Sequence, residues 1–306
     1  MIFRYEYLDG VWIDIEQPSE EEIRKVAQEL SMSEYIEREL LSPTPVPTVT
    51  GEDGMVLLVL HFPTQGTEDG ETKSQEVDFV VGRNFILTVR YEVVAPLYHL
   101  KKLLEAQQLV EGKVPITTDV LLETLFAHLY TAMRDHMSHT ANSLTRTEKA
   151  MFGGHERTTV RMISSISRTF LHMEAELTNQ EESLRHFLDA LNQYGFFGSS
   201  FVERSTRILA ERSHIARIVK THRAIATEMR ETNIAILGAN QNEIMKTLTV
   251  VTFIFLPLEL ITFIFDMHAP GTPLVQDPNA FWIIMGGMTV ISILITIFLA
   301  KKRWIF

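Results

Sequence analysis

Three side chains near the end of this sequence have the chemistry to handle a metal cation: Glu259, Asp266 and His268. Carboxylate oxygens suit magnesium and its bound water, whereas a neutral imidazole has one acceptor nitrogen and favours zinc, nickel or copper. Their setting makes them notable. Glu259 is the one charge in the nineteen-residue run Thr247–Phe265, TLTVVTFIFLPLELITFIF. A carboxylate in such a run is costly against hydrocarbon and points to function. It belongs to a series that steps by four and three without exception: Arg217, Thr221, Ala224, Glu228, Glu231, Ala235, Gly238, Asn242, Met245, Thr249, Thr252, Leu256, Glu259, Phe263 and Asp266. On a helix this spacing draws one stripe. Before residue 247 its members are mostly small or polar, and within the apolar run they include Thr249, Thr252 and Glu259. The threonines alone fit equally well with incidental hydroxyls satisfied by local hydrogen bonds. With Glu259 beside them, the stripe should face a water-filled axis, with Glu259 on it.

The apolar run needs an element that crosses oil. At about 1.5 Å per residue, nineteen residues reach about 30 Å, the thickness of the hydrocarbon layer. Phe281–Ala300, FWIIMGGMTVISILITIFLA, is a second run of twenty residues with no charge. Two such runs in succession, joined by a short polar loop, read as membrane spans rather than buried core helices. Lys246 precedes the first, Lys301, Lys302 and Arg303 follow the second, and 266–280 has no Lys or Arg. The basic residues put both termini in the cytoplasm and the 266–280 loop outside, so the chain is expected to be a multi-pass protein of the inner (cytoplasmic) membrane. Trp282 and Trp304 bracket the second span as interfacial anchors. Pro257 removes one hydrogen bond from the first span, and Gly286-Gly287 lets the second pack closely on another helix.

The rest of the chain must support these spans. Charges within 247–306 cancel, so residues 1–246 carry the whole net charge of −11. An acidic soluble part argues against a nucleic-acid partner and suits a surface that gathers cations. There is no cysteine, which excludes disulfides and thiolate metal sites. No basic region followed by a long apolar run opens the chain, so no cleavable signal peptide is expected. Phe3–Tyr7 and Val11–Ile15 read as a hairpin around Asp9-Gly10, and Ser19 with Glu22 reads as a capping box. A second helix is expected over about 32–41, then three β-branched runs at Met55–Phe62, Glu76–Val81 and Asn84–Arg90. From Pro96 on the pattern is helical, with helices at about 96–110, 117–151 and 155–193. No proline intervenes between Ser199 and Pro257, so one helix of roughly 100 Å is expected from about 199 to 265. Ile208, Ile215, Ile218, Ile225, Met229 and Ile236 suggest its packing seam. A helix that long needs neighbours, which implies oligomerisation.

Asn242-Glu243-Ile244-Met245-Lys246-x-Leu248-Thr249 followed by Phe255-Leu256-Pro257-Leu258 resembles the run that enters the first span of CorA-type divalent-cation channels. Weaker likenesses are Trp12-Ile13-Asp14-Ile15 with Glu20-Glu21-Glu22, Asn84–Val89, and the closing Lys301-Lys302-Arg303-Trp304. The likeness covers essentially the whole chain. It implies a CorA-like funnel: an α/β cytoplasmic domain (1–112), a helical stalk region (113–246), a pore-lining first span (247–265), an external loop (266–280), a second span (281–300) and a basic tail (301–306). It also implies a homopentamer. Asn242, Met245, Leu248 and Leu256 then fall on pore positions, with Met245, Leu248 and Leu256 as hydrophobic constrictions that gate by dewetting. The family's Gly-Met-Asn signature at the mouth is replaced by Asp266-Met267-His268. The resemblance therefore implies a ring of Asp266 carboxylates at the mouth and a second acidic ring of Glu259 about 10 Å deeper.

The expected function is movement of divalent cations, magnesium or a transition metal such as zinc, with altered selectivity. The alternative is a relative that keeps the fold, conducts divalent cations poorly and serves another solute or a regulatory or mechanical role. No Gly-rich phosphate loop, nucleophile elbow or H-E-x-x-H motif supports an enzyme. No cofactor is expected, and a metal cation is the transported or regulatory ligand. The expected partners are further copies of the chain, the lipid bilayer and metal cations. The resemblance implies regulatory cations held by carboxylates between subunits, for which Glu39 and Glu231 are candidates. Where an acidic stalk partner is expected, the sequence has Arg207. His136 and His139, one helical turn apart, read as a solvated pair rather than a metal site.

Overall fold

The computed structural model describes residues 2–65, 72–111, 116–267 and 279–301. Two compact units, Met1–Arg230 and Glu231–Phe306, divide the chain.

The first unit is built on a six-stranded sheet of order β1-β2-β6-β5-β4-β3. Its strands are β1 (Ile2–Glu6), β2 (Val11–Glu16), β3 (Thr48–Glu52), β4 (Met55–Gln65), β5 (Thr72–Val81) and β6 (Phe85–Arg90). β2 and β6 run parallel, and every other pairing is antiparallel. The hairpin expected around Asp9-Gly10 is present, with Tyr7 N–H donating to the Gly10 carbonyl at 3.0 Å. β3 was not expected from the sequence. Its Thr-Val-Thr-Gly-Glu carries one apolar residue, and β3 exists because β4 offers it an edge to pair with.

Alternation along the strands divides the sheet into two buried faces. Ile13, Ile15, Leu57, Val59, Val80, Leu87 and Val89 form one face, covered by α1 (Glu20–Glu29) and α2 (Glu34–Glu39) through Ile23, Val26, Ile36 and Leu40. The expected capping box opens α1: Glu22 N–H donates to Ser19 Oγ at 3.2 Å, and Ser19 N–H donates to Glu22 Oε2 at 3.1 Å. α2 is shorter than the expected 32–41, because Ser33 caps it and its last turn closes at Leu40.

On the other face lie α3 (Ala95–Glu111), α4 (Thr118–Phe152) and α5 (Glu156–Tyr194). Phe79 stacks on Phe126 at 5.0 Å, and Phe126 meets Phe187 edge-on. This face also buries a polar chain. Trp12 Nε1 donates to Thr88 Oγ1 at 3.0 Å, Thr88 donates to Asp14 at 2.8 Å, and Arg90 holds Asp14 at 2.8 and 3.2 Å. Arg90 also reaches Glu16 at 2.7 Å. The strands and the two long helices thus form one body rather than two separable ones.

α6 is a single helix, Ser200–Asp266, as its lack of breakers predicts, and it runs through Pro257. Its packing seam differs from the expected one. The residues that turn inward are Phe201, Ser205, Ile208, Arg212, Ile215, Val219, Ala226 and Met229, with half-buried His222 completing the four-three rhythm. Ile225 is exposed and Ile218 half-buried. The seam admits polar groups because the first unit satisfies them. Arg212 donates to the Leu177 carbonyl at 2.5 Å and to Glu181 at 2.6 Å, and His222 stacks on Phe170 at 5.6 Å. α7 (Ala280–Lys301) is the last helix described.

Candidate ion pathway

The stripe and the seam occupy opposite sides of α6. Arg217 follows seam residue Ile215 by two positions, Ala224 follows His222, and Glu231 follows Met229. Two positions on an α-helix are about 200° apart. Both series repeat every seven residues in two steps, so both wind around the helix together and stay opposed. Arg217, Thr221, Ala224 and Glu228 are all exposed, while the seam beneath them is buried against the chain's own helices. The chain leaves the stripe uncovered.

In the second unit the stripe continues through Glu231, Asn242, Met245, Thr249, Thr252, Leu256, Glu259, Phe263 and Asp266, with Leu248 one position beside it, all on α6. All are exposed except half-buried Thr249. None of the most apolar eighteen-residue window of α6 is buried, and 6% of the corresponding window of α7 is. An apolar surface of this size left bare does not belong to a soluble core helix. Met267 closes the helix, donating its N–H to the Phe263 carbonyl at 3.2 Å. His268 lies outside the described residues, as do the rest of the expected external loop as far as 278 and the end of the basic tail from 302 to 306.

The hydroxyl hydrogens of the stripe are committed locally. Thr249 Oγ1 donates to the Met245 carbonyl at 2.7 Å and Thr252 Oγ1 to the Leu248 carbonyl at 2.9 Å. Thr262, off the stripe, makes the same bond to Leu258 at 3.0 Å, so the bond does not distinguish the two positions. Glu259 does. It is an exposed carboxylate two residues after Pro257, which offers no N–H to the carbonyl four residues back. Asp266 follows seven residues later, about 10 Å along the axis and on the same stripe.

Among the described residues of a single chain, no group of three His, Cys, Asp or Glu side chains is placed to hold a metal ion. Along α6 the acidic positions are separated by whole turns, so one chain supplies one ligand per level. A site at either level needs further copies.

The stalk near Arg207 is a fixed ion-pair cluster. Arg207 holds Glu123 at 2.6 and 3.0 Å and Glu203 at 2.9 Å. Arg204 joins Glu123 at 2.8 Å to Asp119 at 2.7 Å. The hydrogen bonds from Arg207 and then Arg204 hold the Glu123 carboxyl below its usual range. Glu39 ends α2 in the first unit and Glu231 opens the second. His136 is half-buried rather than solvated. It lines a cavity of about 360 Å³ with Phe62, Pro63, Met133 and exposed His139, and burial lowers its pKa.

These elements match a known architecture. The complete structure of the CorA magnesium transporter from Methanocaldococcus jannaschii is similar over 98% of this chain and 93% of its own, with a TM-score of 0.82 and 21% identity. The full-length CmaX structure is similar over 97% and 89%, with a TM-score of 0.59 and 17% identity. Among curated sequences, the cobalt/magnesium transport protein CorA of Methanocaldococcus jannaschii is 23% identical over 303 residues, covering 96% of this chain and 91% of that protein. The model of the family described as CorA-like Mg2+ transporter protein matches residues 8–303, and with it every strand of the sheet but β1, the long helices and both candidate spans, so this chain belongs to the CorA family.

Proposed function

We propose that the chain is one subunit of a homopentameric channel or transporter that moves divalent cations across the cytoplasmic membrane, with both termini inside. Membership of a family of ion transporters rather than enzymes supports the coarse activity. The observation that carries the pathway is the two-sidedness of α6. Its buried seam commits one face to its own subunit, and the opposite stripe, left bare, runs into a span and carries Glu259 there. Five copies joined around that stripe would turn a costly carboxylate into a ring facing water. Asp266 would form an outer ring, with Met267 and His268 beside it. Asn242, Met245, Leu248, Leu256 and Phe263 would line the path between polar levels, and Glu231 would line its inner approach.

Replacement of Gly-Met-Asn by Asp-Met-His favours selectivity unlike that of a signature-bearing relative. Carboxylates admit magnesium, and His268 adds affinity for zinc. The same replacement supports the second reading, a relative that no longer passes divalent cations efficiently. Purified protein in liposomes loaded with a metal-sensitive dye separates the two. Magnesium or zinc entry that is lost in Glu259→Ala and Asp266→Ala supports conduction. No entry of any divalent ion, from correctly folded wild-type protein, sinks it.

A further inference from the structure

We propose that Asp78, Glu76 and His61 form a proton-binding latch that fastens the end of α2 and the loop after it to the sheet, and that rising pH releases it. The inference is independent of the pore reading, since it concerns the first unit alone.

Glu76 and Asp78 are two apart on β5, so both face the α1/α2 side of the sheet, opposite His61 and Val59 of β4. Glu76 is nearly buried. Both its oxygens accept the Thr44 N–H at 2.8 Å, and its Oε2 lies 3.5 Å from His61 Nε2. Asp78 is 1% exposed. Its Oδ2 lies 3.2 Å from Tyr91 Oη, which lies 3.1 Å from the Leu40 carbonyl at the end of α2. Its Oδ1 is buried and has no donor.

Counting hydrogens decides the state. A phenol has one hydrogen, and here two acceptors compete for it. If Asp78 carries a proton, whether that O–H is given to Tyr91 Oη or to Glu76, Tyr91 need not donate to Asp78 and keeps its hydrogen for Leu40. If that proton leaves to water, Tyr91 must turn its hydrogen to Asp78 and abandon Leu40. An aspartate so formed sits buried beside a second carboxylate.

The surrounding charges favour the proton. Those facing Asp78 are Glu76 on its own strand, Glu39 on α2 and the Tyr91 phenol after β6, and none is a cation. His61 faces Glu76, with Glu176 of α5 next, and exposed Glu92 lines a cavity together with His61, Glu76 and Tyr91. Burial first, then the charge of Glu76 and a hydrogen bond to it, push the Asp78 carboxyl well up, against the smaller opposing effect of the Tyr91 hydrogen bond. Asp78 therefore holds the latch at and below the ordinary aspartate value of 3.8, and its grip weakens as pH climbs from there through the raised value. The hydrogen bond to Glu76 raises His61 above 6.5, so its ion pair is intact below that and lost as pH rises further. Both groups act with one sign.

The test is hydrogen–deuterium exchange of the full chain in detergent micelles between about pH 6 and about pH 9, corrected for the intrinsic pH dependence of exchange. Protection of residues 40–47 should fall by about tenfold or more in wild type and by clearly less in Asp78→Asn, whose amide still donates to Tyr91 and in which only the His61 step is left. Level protection in wild type overturns the proposal. So does a wild-type slope in Asp78→Asn, or protection that follows added magnesium at fixed pH. Should Asp78→Asn misfold, infrared spectra of wild-type protein labelled with ¹³C-aspartate decide. A buried protonated-carboxyl band that titrates away with rising pH upholds the latch, and its absence overturns it.

Discussion

At the scale of residues, the buried Arg90–Asp14 pair and Glu259 set the two sharpest expectations. Arg90 is fully buried and Asp14 nearly so, hence removing one partner leaves an uncompensated charge. Arg90→Leu should cost about 3–5 kcal/mol in urea unfolding of the whole chain. The double change Asp14→Leu with Arg90→Leu should recover part of that loss, because it removes both members of the buried charge pair, although Thr88 loses its acceptor and Glu16 its arginine. In the span, Glu259→Gln should slow divalent entry into liposomes about tenfold, a barrier rise of roughly 1.4 kcal/mol. Ile264→Ala, about 140° away on the same helix, should change it little. Glu259 can be singled out from sequence because a charge in an apolar run stands out, and Asp266 because it falls on the same stripe. Asp14, Asp78 and Arg90 cannot, since in a strand a buried charge looks like any exposed alternate residue until its partner across the sheet is known. The one available signal was two carboxylates, Glu76 and Asp78, at strand spacing inside a β-branched run.

At the scale of elements, caps and breakers read directly from sequence. Ser19 and Glu22 satisfy each other's backbone donors as expected, and Ser19→Ala should destabilise the first unit by about 1 kcal/mol, seen as a lower urea midpoint with unchanged slope. The seam of α6 shows where such reading stops. Large β-branched residues drew attention to Ile218 and Ile225, yet the helix turns Val219, His222 and Ala226 toward the chain. Residue type ranks hydrophobicity, whereas the seam is set by what α5 offers: a ring for His222, a carbonyl and a carboxylate for Arg212. Arg212→Met keeps the length of the side chain and loses both partners. It should therefore lower thermal stability more than Ile225→Met, which is exposed in the chain.

At the scale of the whole molecule, the order of elements and both spans were legible, because each rests on local pattern. Edge strand β3 and the sheet order were not, because they depend on pairings distant in sequence. The chain has no cysteine of its own, which suits it to crosslinking at introduced ones. Thr252→Cys, treated with a short bis-maleimide in membranes, should give a ladder of crosslinked species ending at five subunits. Ile264→Cys should stay largely monomeric on the same gel. A ladder that stops at two contradicts the proposed ring.

The local bonds of Thr249 and Thr252 also bear on what such a ring tolerates. A hydroxyl that has spent its hydrogen on a neighbouring carbonyl shows the outside nothing but lone pairs. Visitors must therefore bring positive charge or their own hydrogens, as a hydrated cation does through its shell of water. Chloride brings neither, and finds nothing at these two levels to replace the water it would shed.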